Sequence, residues 1–165
     1  RAAMRNLGEV MAPKGWREAS RETRRACMSA IQAIAESEPA AEAVAKGDSR
    51  TGGGAWRERV WDAVTMGLYD ETAAVASGGL HAADALIKAL PTIPISGPQQ
   101  ERLAAALMPT LLRSSSAATP LAASTACQAL SHLVERIPPE AVHKLLARLL
   151  PPLLHILSPP RHSTP

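Results

Sequence analysis

The sequence predicts an all-α fold assembled from repeated helical hairpins, and three observations carry that prediction. The residues available for a core are small and aliphatic. Of 165 residues 46% are hydrophobic but only 2% aromatic, with three Trp, one Tyr and no Phe. Ala, Leu, Ile and Val suit closely packed helices, whereas a sandwich or barrel would draw on more β-branched and aromatic side chains. Apolar residues also recur near every 3.6 positions through most of the chain. Finally, the sequence repeats itself. "LAAALMPTLL" at 103–112 lies over "LLARLLPPLL" at 145–154, an offset of 42 residues. Leu103 falls on Leu145, Leu107 on Leu149, Met108 on Leu150, Pro109 on Pro151, Leu111 on Leu153 and Leu112 on Leu154.

Taken in order, a short helix is expected over Ala2 to Met11, ended by Pro13 and Gly15. A long one follows from Trp16 to Ser37, with Pro39 behind it as the stop. "KGDSRTGGG" at 46–54 is the clearest flexible loop. Further helices are expected over 55–68, 71–90, 98–113, 118–136 and 139–157. The breaks "PTIPISGP", "RSSSAATP" and "IPP" each put Pro at or near a helix start, where its missing N–H costs nothing. Residues 158–165, "SPPRHSTP", are expected as a disordered tail or a cut end, leaving 1–157 as one helical repeat segment.

Between the two leucine-rich copies lies Ala126-x-x-Ala129-Leu130-x-x-Leu133. It echoes Cys27-x-x-Ala30-Ile31-x-x-Ile34 and Ala82-x-x-Ala85-Leu86-x-x-Ala89. Two helix types therefore alternate at about forty residues, the length of one helical hairpin. The prolines inside the leucine-rich helices then become positional: Pro at the same place in each unit would kink the outer helix around its neighbours.

These motifs resemble the HEAT-repeat family of armadillo-like α-helical solenoids. A HEAT unit has a Pro-containing first helix, an Asp at the turn, a Val-Arg pair and then small-x-x-Ala-Leu. "LYDETAAVASGGLHAA" supplies Leu68, Asp70 and Val75, with Ala76 where Arg is usual. "EASRETRRACMSAI" supplies Arg24, Cys27, Ala30 and Ile31, with Glu18 in the Asp slot and Thr23 in the Val slot. A third unit around "ATPLAASTACQAL" keeps only the last part. The resemblance spans 16–157. It implies a right-handed α-solenoid of three to four HEAT-like hairpins, acting as a scaffold or adaptor segment of a larger protein, of the proteasome-adaptor kind.

Charge and cysteine content narrow the setting. Net charge is +3, and the excess lies in residues 1–60, which hold 11 Lys+Arg against 8 Asp+Glu. Cys27 and Cys127 both sit in apolar helical patterns and read as small buried hydrophobes, which favours a reducing compartment. No run approaches the ~18 apolar residues of a membrane span. The chain opens at Arg1 without Met, as a segment of a longer protein would. Cytoplasm or nucleus is the expected location.

Several stretches invite a chemical reading. "GDSR" at 47–50 is similar to the start of a lipase-like hydrolase motif, but no strand precedes Ser49 and no Asp-x-x-His partner follows. The glycines of "TGGGAW" lack the Lys-Ser/Thr of a P-loop. The five histidines show no metal spacing, so neither metal nor cofactor is expected. Cys27 follows Arg24 and Arg25, yet its spacing to Ala30, Ile31 and Ile34 puts it on the apolar face. A small hydrolase using Cys27 or Ser49 is thus the rival reading, and a structural spacer without a direct partner is the third.

Arg17, Arg21, Arg24 and Arg25 follow i, i+4, i+7, i+8 and would share one face of a continuous helix. Such a ridge suits an acidic protein partner. Against this, Glu18 and Glu22 flank it and Arg24 holds the family's structural position, so a solvated face is the plainer account. Nucleic acid fits less well, because the charge excess is small and only Trp16 is near for stacking. Trp56 and Trp61, five apart, point about 140° from each other; one should enter the core and the other stay partly exposed. The expected function is non-enzymatic protein binding, through Arg17, Arg21, Arg25 and Trp56. Further repeats of the same chain are expected after residue 157, to cover a last helix that is leucine-rich on nearly all sides.

Overall fold

A helix end leaves backbone groups unpaired, and the local chemistry that satisfies them decides where these helices begin. The computed structural model describes residues 2–46, 53–90, 92–114 and 120–157. Among them it forms helices and no strands: α1 (Ala2–Val10), α2 (Pro13–Glu18), α3 (Arg21–Glu36), α4 (Glu38–Lys46), α5 (Gly53–Leu68), α6 (Ala73–Lys88), α7 (Gly97–Ser114), α8 (Pro120–Arg136) and α9 (Pro139–Leu157). The all-α expectation holds.

Several boundaries differ from the sequence expectation: Pro13 and Gly15, expected to end the first helix, lie in α2, which Pro13 begins. The helix expected over 16–37 is two helices, because Ser20 has extended backbone and its Oγ accepts the Thr23 N–H at 3.1 Å, an N-cap that starts α3 afresh. Pro39 does not stop a helix but sits in the first turn of one: α4 begins at Glu38, where a missing N–H is free. Lys46, Gly53 and Gly54 of the expected loop 46–54 are helical, and its centre lies outside the described residues. So do 158–165. At α7 Gln99 Oε1 accepts both the Ser96 N–H at 3.2 Å and the Ser96 hydroxyl at 2.9 Å, the Gln half of an S-x-x-Q capping box.

The helices pack in two rows. In one, α3 packs on α6 and α6 on α8; in the other, α5 packs on α7 and α7 on α9. Consecutive helices join the rows, α5 with α6 and α7 with α8, while α4 fills the side between α3 and α5. The α5–α6 crossing is close at two glycines. A Cβ at Gly79 would lie 2.8 Å from the Gly67 carbonyl carbon, and one at Gly67 would meet Met28 Sδ. Only glycine lets these two backbones approach so far.

One continuous core runs through both rows. It includes Met28 and Ile31 of α3, Val60, Trp61 and Val64 of α5, Leu80, Leu86 and Ile87 of α6, Leu103 and Leu107 of α7, Ala129 and Leu133 of α8, and Leu145 and Leu149 of α9. Leu111, Leu130 and Leu153 are half-buried at its edge. Cys127 departs from expectation: it is exposed, whereas Cys27 is buried. Two residues of α8 decide this, since Ala126 and Ala129 turn inward and leave Cys127 between them on the outer side.

Pro109 and Pro151 each occupy the thirteenth position of their helix, and both helices run on through them. The reason is where the unpaired carbonyls fall. Pro109 and Pro151 leave the oxygens of Ala105 and Ala147 without their i+4 donors, and Pro152 does the same to Arg148. All three of those residues are exposed, so water can take the bond.

Candidate functional site

The break at Ser20 dismantles the arginine ridge as a single-helix feature. Arg17 belongs to α2, its Nε donating to Pro13 O at 3.3 Å, while Arg21, Arg24 and Arg25 belong to α3. The i, i+4, i+7, i+8 face therefore does not exist as predicted.

Arg24 has a structural task instead. Its Nε donates to Asp70 Oδ2 at 2.7 Å, Nη2 to Asp70 Oδ1 at 3.3 Å and Nη1 to Ala19 O at 2.9 Å. One guanidinium thus ties the α2–α3 turn to the α5–α6 turn. Asp70 Oδ1 also accepts the Thr72 N–H at 3.0 Å, ordering the entry to α6. Burial raises the Asp70 carboxyl pKa, but the Thr72 N–H and the Arg24 guanidinium outweigh it and hold the group below its usual range. The two residues are those the HEAT resemblance singled out, and they meet across 46 positions.

Arg17, Arg21 and Arg25 are exposed. Arg21 pairs with its neighbour Glu22 at 3.0 Å, and Lys14 approaches Glu18 at 3.9 Å. Both pairs are solvated, so they order little. Lys14, Arg17, Arg21 and Arg25 against Glu18 and Glu22 still leave the surface of α2 and the start of α3 positive. Trp16 offers no stacking there, being buried in the core.

Of the tryptophan pair, Trp61 is the core residue and Trp56 the half-buried one. The Trp56 ring lies over Gly8 of α1, where an added Cβ would stand 3.2 Å from Cζ2. Helix packing therefore takes up much of the ring. Trp61 Nε1 is buried without a hydrogen-bond partner, a feature its sequence position gives no hint of.

For the rival chemistry, burial pushes the Cys27 thiol up to about 12, so roughly one molecule in 10⁵ would carry a thiolate at neutral pH. Ser49 lies outside the described residues. Among the described residues no group of three His, Cys, Asp or Glu side chains could hold a metal ion. His132 Nδ1 instead meets Asp84 Oδ1 at 3.1 Å across α6 and α8, and Asp84 also receives Lys88 at 2.7 Å.

Sequence reasoning missed one feature. The α6–α7 connection and the α8–α9 turn enclose an open, mainly apolar cleft of ≈ 410 Å³. Leu90, Pro94, Ile95, Ile137 and Pro138 form its walls, with Gln100 and Arg136 as its polar members. The Pro-rich breaks marked both segments as connections, but nothing in either said that they face each other.

No protein-family model matches the chain, and no curated protein or solved structure is significantly similar to it. Among the described residues no helix is long and apolar enough to cross a membrane.

Proposed function

We propose that this chain is a stretch of right-handed, HEAT-like α-solenoid that serves as a non-enzymatic protein-binding scaffold or adaptor within a larger protein of the cytoplasm or nucleus. The observation that carries the reading is the state of α9. It continues the α5–α7–α9 row, yet among the described residues it has no counterpart beside it in the α3–α6–α8 row. Its Leu145 and Leu149 are buried, while Leu146, Leu150 and Leu154, at i, i+4, i+8, are exposed. A stack of hairpins has this need for a next unit at every step, because each unit buries its apolar face on its neighbour. Further repeats of the same chain would cover the stripe. The exposed positive surface around Arg17, Arg21 and Arg25 is then the place for an acidic protein partner.

Light scattering of the chain against a Leu150→Glu, Leu154→Glu variant tests the stack. The stripe should drive self-association that the double substitution abolishes. If both remain monomeric at high concentration, the helix needs no further unit and the solenoid reading falls.

A further inference from the structure

Polar contacts mark the two sides by which α7 joins the row α5–α7–α9. Its side toward α5 carries Gln99, whose Nε2 donates to Glu58 O at 3.3 Å, and Arg102, which pairs with Asp62 at 3.1 Å. Its side toward α9 carries Glu101, which receives Arg148 at 2.8 Å. Ala104 and Met108 stand three and seven residues after Glu101, on the same face of the helix. Both are buried, 1% and 7% exposed. The 42-residue offset carries these three positions to His143, Leu146 and Leu150 of α9. There all three are exposed, Leu146 at 39% and Leu150 at 47%. The arc that α7 buries on its α9 side is therefore open on α9, and Leu154, one turn on, extends it.

We propose that this arc docks a leucine-bearing helix that continues the row in the register of α9 on α7, and that carries a carboxylate where α9 carries Arg148. The α9 face that meets α7 reads Leu145-x-x-Arg148-Leu149: two buried leucines four apart, and the cation bound to Glu101. The occupant's two leucines take those places and pack on Leu146 and Leu150. The polar contact changes sign. Glu101 accepts an arginine, whereas His143 in the equivalent place offers a ring N–H, so the residue opposite it is an acid. The occupant's motif is thus Leu-x-x-Asp/Glu-Leu. A second copy of this chain does not supply that face, because its own Leu145 and Leu149 are already buried and it carries Arg148 between them. The occupant is a helix of the next unit. The inference rests on the stacked-hairpin reading above and names the chemistry of the unit that follows.

The probe is a synthetic helix of residues 139–157 carrying Leu146→Gln, Leu150→Gln and Leu154→Gln, so that it keeps only its inner leucines. It is made with Arg148 and with Arg148→Glu, and each form is titrated into the whole chain labelled at leucine methyls. The Leu146, Leu150 and Leu154 signals of the chain should shift and saturate. The Arg148→Glu probe should bind about threefold more tightly than the Arg148 probe, the worth of one exposed polar pair. His143→Ala in the chain should remove that preference, which separates this contact from the general attraction of a positive chain. The comparison of the two probes on the unaltered chain stands even if the variant folds poorly. Equal binding of the two probes would overturn the carboxylate assignment. Absence of shifts at the three leucines up to millimolar probe would overturn the docking arc. A chain that self-associates through Leu150 and Leu154 yet leaves the probe unbound keeps the stacked reading and loses this one. A chain that stays monomeric in light scattering yet binds the probe does the reverse.

Discussion

Helix α6 is built largely from small residues and is buried on most of its circumference, whereas α9 is built from leucines and shows half of those described to solvent. Val75, Gly79, Leu80, Ala82, Ala83, Ala85, Leu86 and Ile87 of α6 are all buried, because α3, α5 and α8 surround it. Among the described side chains of α9 only Leu145 and Leu149 are buried, and its main neighbour is α7. The helix with the larger apolar side chains is thus the less covered one. Burial here is set by the number of neighbours, and small residues are what permit many neighbours to come close.

The widest contrast should appear on truncating one leucine in each. Leu86 is fully buried among three helices, so Leu86→Ala should cost about 4 kcal/mol, in the upper part of the range for such cavities. Leu150→Ala, at a site 47% exposed, should cost about 0.5 kcal/mol, as surface changes do. Chemical denaturation of both variants measures the difference. Equal losses would mean that α9 is covered as fully as α6.

The polar links divide in the same way. Arg24–Asp70 joins the first hairpin to α6 with side chains 15% and 4% exposed, while Arg148–Glu101 joins α7 to α9 with 68% and 35% exposed. Asp70→Asn should cost about 3 kcal/mol, the lower end for breaking a buried pair, and Glu101→Gln at most about 1 kcal/mol. The pH dependence follows from the depressed Asp70 pKa. The folded state binds this proton less readily than the unfolded one, so the contribution is complete above the ordinary carboxylate range. It is lost as pH falls through the folded-state value. Stability measured from pH 7 downward should therefore fall more steeply for the parent chain than for Asp70→Asn.

Leu149 sits between the extremes, 8% exposed on the inner side of the edge helix. Leu149→Ala should cost about 2 kcal/mol, the low end for leucine truncation, since α9 can settle onto α7 to close part of the gap. A loss under ~0.5 kcal/mol by urea denaturation would remove Leu149 from the core.

Helix identity and the two-row alternation were legible because period and repeat are properties of sequence alone: the 42-residue offset between Leu103 and Leu145 reappears as the offset between the starts of α7 and α9. Boundaries were less so. The Ser20 cap and the Pro39 start depend on short-range chemistry that a long apolar period masks, and an unbroken helix over 16–37 produced a ridge that does not form. Cys127 was misplaced because its helix carries apolar residues on more than one side, leaving the period ambiguous about which side faces the core. The cleft was illegible for another reason: Gln100 and Arg136 are brought together by the packing of two connections.

The smallest effect on stability is expected where the largest effect on binding is proposed. Arg17 and Arg25 are exposed; among the described residues Arg17 bonds within its own helix and Arg25 meets no carboxylate, and Arg21 shares a solvated pair with Glu22. Replacing all three by alanine should change folding stability by no more than about 0.5 kcal/mol. Removing charge there should nevertheless weaken capture of an acidic partner, and the loss should shrink as salt is raised, because exposed charges separated by more than ~8 Å are screened at physiological ionic strength. Arg24 is the internal control: Arg24→Ala should destabilise the fold through Asp70 and the Ala19 carbonyl. Binding measured at several salt concentrations, on variants whose circular dichroism matches the parent, separates the two roles. A triple variant that binds as the parent does at low salt would leave this surface as solvated cover over α2 and α3.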